Sequence, residues 1–175
     1  VTLDGGGSPR EVVYSGVNRG RGKELLKSIP KYTPAENAYI NILVVDDVLD
    51  NIKVVTSFLQ KLGYKNITTA MNGEDAITAI VNNIDGPKLS LRGNNRSNYH
   101  VVLMDILMPI MDGVTAMKKI TRMFVDRRSR PIIIAVTAVN VDGDIADQLD
   151  KYADGILTKP IVEIERLGQA LRSIN

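Results

Sequence analysis

Cysteine is absent from this chain and histidine occurs once, at His100. Without cysteine there is no disulfide and no thiolate metal site, and a single imidazole leaves a zinc centre short of ligands. The absence fits a reducing compartment, and the expected location is cytoplasmic, on its own or as the cytoplasmic part of a larger membrane-bound protein. No apolar run reaches the roughly 18 residues that would span a bilayer. The N-terminus shows no basic segment leading into an apolar one, so no signal peptide is visible. Excess charge of one sign is also scarce: 22 Lys and Arg against 20 Asp and Glu give a net charge of +2. Residues 1–40 hold six basic and four acidic side chains, so the whole excess sits there. Elsewhere basic residues are scattered, apart from Arg127-Arg128-Ser129-Arg130, which reads as a solvated loop. This is a poor electrostatic footprint for nucleic acid.

Composition divides the chain in two. Residues 1–38, with Gly5-Gly6-Gly7-Ser8-Pro9 and the Gly- and Arg-rich Gly16 to Gly22, read as a linker or extension holding one short helix near Lys23–Ile29. Gly16 to Lys23 imitates a phosphate loop, but its spacing is one residue too long, Glu24 replaces the needed hydroxyl, and no strand precedes it. Residues 39–175 read as one domain of alternating strands and helices. Ile42–Val45 is an apolar strand, followed by a helix with Ile52, Val55, Leu59 and Leu62 at helical spacing and a stop at Gly63. Ile67–Ala70 is a second strand, and Gly73–Ile84 a helix turning Ala76, Ile77, Ile80 and Val81 inward. Asp85–Asn98 is polar and reads as an inserted surface loop. A third strand covers Val101–Met104, with His100 at its edge, and a helix runs from about Val114 to Phe124. Pro131–Val136, a helix over Val141–Tyr152, the short strand Gly155–Leu157 and a helix over Val162–Ile174 complete the pattern. Five βα units predict an α/β fold, a parallel sheet with right-handed crossovers and helices on both faces. Chemistry in such sheets collects outside the carboxyl ends of the strands.

Asp46-Asp47, Asp105, Thr137 and Lys159-Pro160 all follow predicted strands. Three acids converging on one pocket raise one another's pKa unless a cation neutralises them. A hard divalent ion answers this, and Mg²⁺ needs only one or two carboxylates beside water and substrate oxygens. Asp47 and Asp105 are the expected direct ligands, with Asp46 acting through water. Taken singly, each residue also has an ordinary reading. The acid pair could cap the next helix, Asp105 could be a loop acid, and Thr137 one more β-branched strand residue. Met108 and Met111 read as packing. The joint pattern is what is specific.

In this order the residues, with Asp105-Ile106-Leu107-Met108-Pro109-Ile110-Met111-Asp112-Gly113 at the centre and Asn51 after the acid pair, resemble the receiver domain of two-component response regulators and hybrid histidine kinases. The resemblance covers roughly Ile40 to Ile174. It implies a flavodoxin-like doubly wound five-stranded sheet of order 2-1-3-4-5. It also implies that Asp105 takes a phosphoryl group from a phosphohistidine, a carboxylate acting as nucleophile. Lys159 and Thr137 would neutralise the transferred oxygens, the Leu107 carbonyl would join Asp46, Asp47 and Asp105 around Mg²⁺, and Pro160 would follow a cis peptide. The implied partners are a histidine kinase or a histidine-containing phosphotransfer protein, with the chain a monomer or weak dimer. It would catalyse its own phosphorylation. No kinase core is visible, so it accepts phosphate rather than drawing it from ATP. Extra residues before the receiver and a stop after the last helix resemble the C-terminal receiver of a eukaryotic hybrid histidine kinase.

One departure stands out. Receivers usually carry Tyr or Phe three residues before the Lys, and here that position is Ile156, which puts the usual ring-driven switch in doubt. Leu107 and Val139 are apolar where polar groups often orient water, which predicts slow self-hydrolysis. Two other readings compete: a pseudo-receiver that serves only as an interaction module, and a phosphoaspartate hydrolase, whose Asp-x-Asp signature is missing because Leu107 stands in place of the second acid.

Overall fold

The computed structural model describes residues 36–85, 96–138 and 143–173. The expected helix at Lys23–Ile29, the loop-like Gly16–Lys23, Val139 and the start of the Val141 helix lie outside them. The five sheet strands are β1 (Asn41–Val45), β2 (Asn66–Ala70), β3 (Val101–Asp105), β4 (Ile132–Thr137) and β5 (Gly155–Thr158). They alternate with α1 (Leu49–Lys61), α2 (Gly73–Asn82), α3 (Gly113–Arg122), α4 (Gly143–Tyr152) and α5 (Ile164–Ser173). The sheet order is β2-β1-β3-β4-β5, as expected, and every neighbouring pair is parallel.

The central strands are apolar because both faces are covered, as parallel sheets require. Alternation along each strand divides the core in two. Leu43, Val45, Val102, Met104, Ile133 and Ala135 pack with α2, α3 and α4. Ile42, Val44, Leu103, Ile134, Val136 and Leu157 pack with α1 and α5. Edge strand β2 is mostly exposed, while all of β3 is buried. α1 ends where expected: Gly63 has φ 94°, the left-handed conformation that favours glycine after a helix, and Tyr64 N–H donates to the Leu59 carbonyl at 3.0 Å. α2 starts on Asn72, whose side chain accepts the Asp75 N–H at 2.9 Å, and α3 on Asp112, which accepts from Thr115 N–H at 2.8 Å.

Three expectations need correction. α2 stops at Asn82 rather than running to Ile84. The Asn83 amide donates to the Ala79 carbonyl at 2.9 Å, which closes the last turn, and Val81 is only half-buried. The Asp85–Asn98 segment is not simply a loop, because Ile84–Asp85 pairs antiparallel with Arg96–Ser97. Backbone bonds from Asn98 to Asn83 (3.0 Å) and from Ser97 to Ser129 (2.8 Å) tie that ribbon down. Finally, the Arg127–Arg130 stretch is not uniformly solvated. The Arg130 side chain is 6% exposed and grips an equally buried Asp154 through two bonds of 2.6 and 2.9 Å. Asp154 also accepts the Ile133 N–H at 2.8 Å and pairs with Arg127. The ion pair therefore staples the entries of β4 and β5, at the end of the sheet away from the acids. His100 sits just before β3, exposed, with Nδ1 accepting the Asn41 N–H at 3.0 Å, which fits its reading as an edge residue.

Candidate functional site

Each sheet strand from β1 to β5, β2 excepted, delivers one group to the same end of the sheet. Asp46 follows β1 directly, Asp105 ends β3, Thr137 ends β4 and Lys159 follows β5. Asp46 and Asp105 are 6% and 4% exposed, unusual burial for acids, and Thr137 beside them is 4% exposed. The Lys159 ammonium lies between two of the carboxylates, 2.7 Å from Asp105 Oδ2 and 2.9 Å from Asp46 Oδ2. Oxygens of Asp46, Asp47 and Asp105 all fall within 4.8 Å of one another.

The acid pair is not there to cap α1. The helix begins after Val48, which provides no side-chain cap. Asp46 Oδ1 instead accepts from the Val48 N–H at 2.9 Å and from the Asn51 amide at 3.0 Å. Asn51, in the first turn of α1, thereby orients Asp46, which explains why an amide belongs there. Thr137 and Lys159 are joined through the backbone, the Lys159 N–H donating to the Thr137 carbonyl at 2.7 Å. The Lys159–Pro160 peptide is cis. Leu107 lies on the loop after β3 and is 68% exposed, and Met108 and Met111 are buried as packing residues.

Charge in the pocket is out of balance. Burial pushes the Asp105 carboxyl above its ordinary pKa, and Asp46 adds to the rise, while the hydrogen bond and charge of Lys159 oppose both. Burial also works against the Lys159 charge, but its bonds to Asp105 and Asp46 together outweigh that and hold the ammonium above its ordinary pKa. Lys159 contacts two of the three clustered acids, so the cluster keeps a net negative charge. The donor set is therefore suited to a hard divalent cation bound through oxygen.

Gly113 closes the Asp105 motif in the sequence, which assigns it no separate role. A Cβ there would lie 1.9 Å from the Asp105 carbonyl oxygen, so the start of α3 can approach the end of β3 only without a side chain. The signal was present as the small residue following the Asp112 cap, but only the distance reveals what it does. Beside the acids, a cleft of about 410 Å³ runs between α1 and the segment after β5, lined by Asn51, Val54, Phe58, Lys159, Pro160 and Val162 among others.

Residues 42–172 match the family described as response regulator receiver domain. Among curated proteins, the chain is 33% identical over 122 residues to the osmosensing histidine protein kinase SLN1 of Saccharomyces cerevisiae, covering 70% of this chain and 9% of that protein. It is 35% identical over 130 residues to histidine protein kinase 1 of Candida albicans, covering 72% of this chain and 5% of the relative. The chain thus spans less than a tenth of either relative. Among solved structures, the receiver domain of the histidine kinase CKI1 from Arabidopsis thaliana, complexed with Mg²⁺ and BeF₃⁻, superposes with a TM-score of 0.64 at 25% identity, covering 81% of this chain and 95% of that one.

Proposed function

We propose a phosphorelay role for this chain, which belongs to the response regulator receiver family: Asp105 accepts a phosphoryl group from a protein phosphohistidine. The observation that carries the assignment to Asp105 is its place at the end of buried β3, bonded to Lys159 and crowded by Asp46 and Asp47. An oxygen of Asp105 attacks phosphorus, the phosphorus–nitrogen bond to the imidazole breaks, and the released histidine nitrogen is left to take up a proton. The transition state spreads charge over the equatorial oxygens, so catalysis is mainly positioning and neutralisation. The Lys159 ammonium, already held at the carboxylate, moves its attraction to one of those oxygens. The Thr137 hydroxyl, buried at the adjacent strand end, serves another. Asp46, Asp47, Asp105 and the Leu107 carbonyl would hold Mg²⁺, which supplies positive charge for the remaining oxygen. Burial above all raises the Asp105 pKa, so a cation bound beside it would favour the charged carboxylate that attacks.

A protein partner is supported by the rim of the pocket. Val48, Leu49, Leu107, Ile110 and Val162 are all exposed large apolar side chains. Apolar surface around a charged site fits a docking protein better than a small hydrophilic donor. We place this chain as the receiver of a hybrid histidine kinase, on the cytoplasmic side, exchanging phosphate with a histidine-containing domain.

The test is intact-protein mass after incubation with phosphoramidate, with and without Mg²⁺, for the natural chain and for Asp105→Asn. The expected result is one added phosphoryl group that requires both Mg²⁺ and Asp105. No gain, together with no Mg²⁺ binding by calorimetry, would leave only an interaction module.

A further inference from the structure

β5 is an edge strand, and its alternation has a consequence for the pocket. Leu157 packs on the α1 and α5 side, so Thr158, like Ile156, points to the opposite face. Thr158 is the register partner of Thr137 on β4, and residues paired in a ladder share a face. The two threonines therefore stand side by side at the strand ends, and Lys159 follows immediately. Arg166 belongs to α5, which packs through Leu167, Ala170 and Leu171 on the other face. Even so, Arg166 Nη2 donates to Thr158 Oγ1 at 2.6 Å in a partly buried bond. The bond thus joins α5 to the last residue of the edge strand. Such a charge-assisted bond is about twice as strong as a neutral one. Because Thr158 Oγ1 is the acceptor, its own O–H remains a donor, on a residue in register with Thr137.

We propose that Arg166 is a positioning residue for the phosphoryl-accepting pocket, acting through Thr158 to fix Lys159 and Thr137. The inference rests on the function proposed above. Lys159 is then held from two directions, by its backbone bond to Thr137 and by the clamp on the residue before it. The simpler role for Arg166 is to shield an edge strand with charge. Shielding requires nothing of the hydroxyl at position 158, whereas positioning requires it. The pocket thereby gains a link to α5 that does not depend on a ring at position 156.

Two readouts test this on the full chain. The first is residue-resolved hydrogen exchange of the Lys159 amide. The second is phosphoryl uptake from phosphoramidate at saturating Mg²⁺. Arg166→Ala and Thr158→Val should each lower the maximal rate about tenfold, part of the roughly hundredfold that a 1 Å misplacement costs. The half-saturating donor concentration should stay unchanged. Both variants should speed Lys159 amide exchange by a similar factor while β1 and β3 amides keep their protection. Thr158→Ser should behave as the natural chain, and the double variant should be no slower than either single one. Thr158→Val with natural exchange and natural rate, or a double variant whose losses multiply, would overturn the proposal. If the natural chain takes up no phosphoryl group, the function proposed above fails, and the exchange data alone still decide the role of Arg166.

Discussion

Gly113→Ala should damage both fold and chemistry, because the space it fills belongs to the backbone of Asp105. An added Cβ would sit 1.9 Å from the Asp105 carbonyl oxygen, 2.9 Å from its carbonyl carbon and 3.0 Å from Ile106 Cα. None of these atoms lies at the end of a flexible side chain, so relief requires β3 and the start of α3 to part by about 1 Å. That movement also strains the 2.9 Å bond from the Gly113 N–H to the Ile106 carbonyl. Gly113 has no left-handed φ, so the cost is steric rather than conformational. Overpacking of this kind costs about 1–3 kcal/mol, and each kcal/mol lowers the melting temperature of a domain this size by roughly 2–4 °C. The same displacement moves the Asp105 carboxylate away from Lys159, where 1 Å is worth about a hundredfold in rate. Thermal unfolding followed by circular dichroism gives the first effect, and initial phosphoryl uptake from phosphoramidate gives the second. Gly143→Ala is the control: no heavy atom lies within 4 Å of its Cβ, so stability should hold or rise by up to about 1 kcal/mol. If Gly113→Ala melts with the natural chain and takes up phosphate at the same rate, the steric reasoning is wrong.

Further outcomes follow from burial and charge. The Asp105 carboxyl has a raised pKa in the fold, so its contribution to stability is fully present below the ordinary carboxylate pKa and is lost as pH rises through the raised value. Asp105→Asn should accordingly stabilise the chain at neutral pH, and the gain should vanish below about pH 4; a urea midpoint that falls at pH 7 would contradict this. Arg130→Leu leaves the buried Asp154 carboxylate with only the half-exposed Arg127 as countercharge and should cost up to about 3–5 kcal/mol in urea unfolding. Arg130→Leu combined with Asp154→Leu should cost less than Arg130→Leu alone, and simple additivity would show that the pair is not a unit. In α4, Leu149 is the buried side chain, whereas α3 buries Val114, Ala116, Met117 and Ile120. Amide exchange should therefore be faster in α4 than in α3, and equal protection would count against that packing argument.

Periodicity and terminal residues made the fold legible. Apolar β1, β3 and β4 announce a covered parallel sheet, and Asp46, Asp105, Thr137 and Lys159 announce themselves by following strands. The less readable residues are those whose role depends on a partner distant in sequence. Arg130 looked like one of a run of surface cations until Asp154, 24 positions on, was placed beside it. Arg166 is an ordinary helix residue until β5 is known to be an edge. Gly113 depends on a backbone distance that no residue pattern encodes. The ribbon between Ile84–Asp85 and Arg96–Ser97 was hidden because two-residue strands are too short for alternation to register.

The replacement of the usual ring by Ile156 bears on which signalling role suits this receiver. Ile156 is half-buried and packs into the core beneath α2, α3 and α4, in register with Ala135 of β4. It offers no aromatic side chain to move between an inner and an outer position. A response that drives an output surface from one state to the other, from 1:99 to 99:1, needs about 5.5 kcal/mol of differential stabilisation. A new hydrogen bond from Thr137 to a charged phosphoryl group supplies about 1.5–3 kcal/mol. That is too little to complete the shift without a second contribution, and α5, held by Leu167, Ala170 and Leu171, is a stiff element to displace. Handing phosphate to a histidine makes a smaller demand. It requires an aspartyl phosphate at the mouth of a rigid pocket and an apolar rim on which a partner can dock. A lodged Ile156 costs such a relay nothing, so the relay role fits this chain better than that of an output switch.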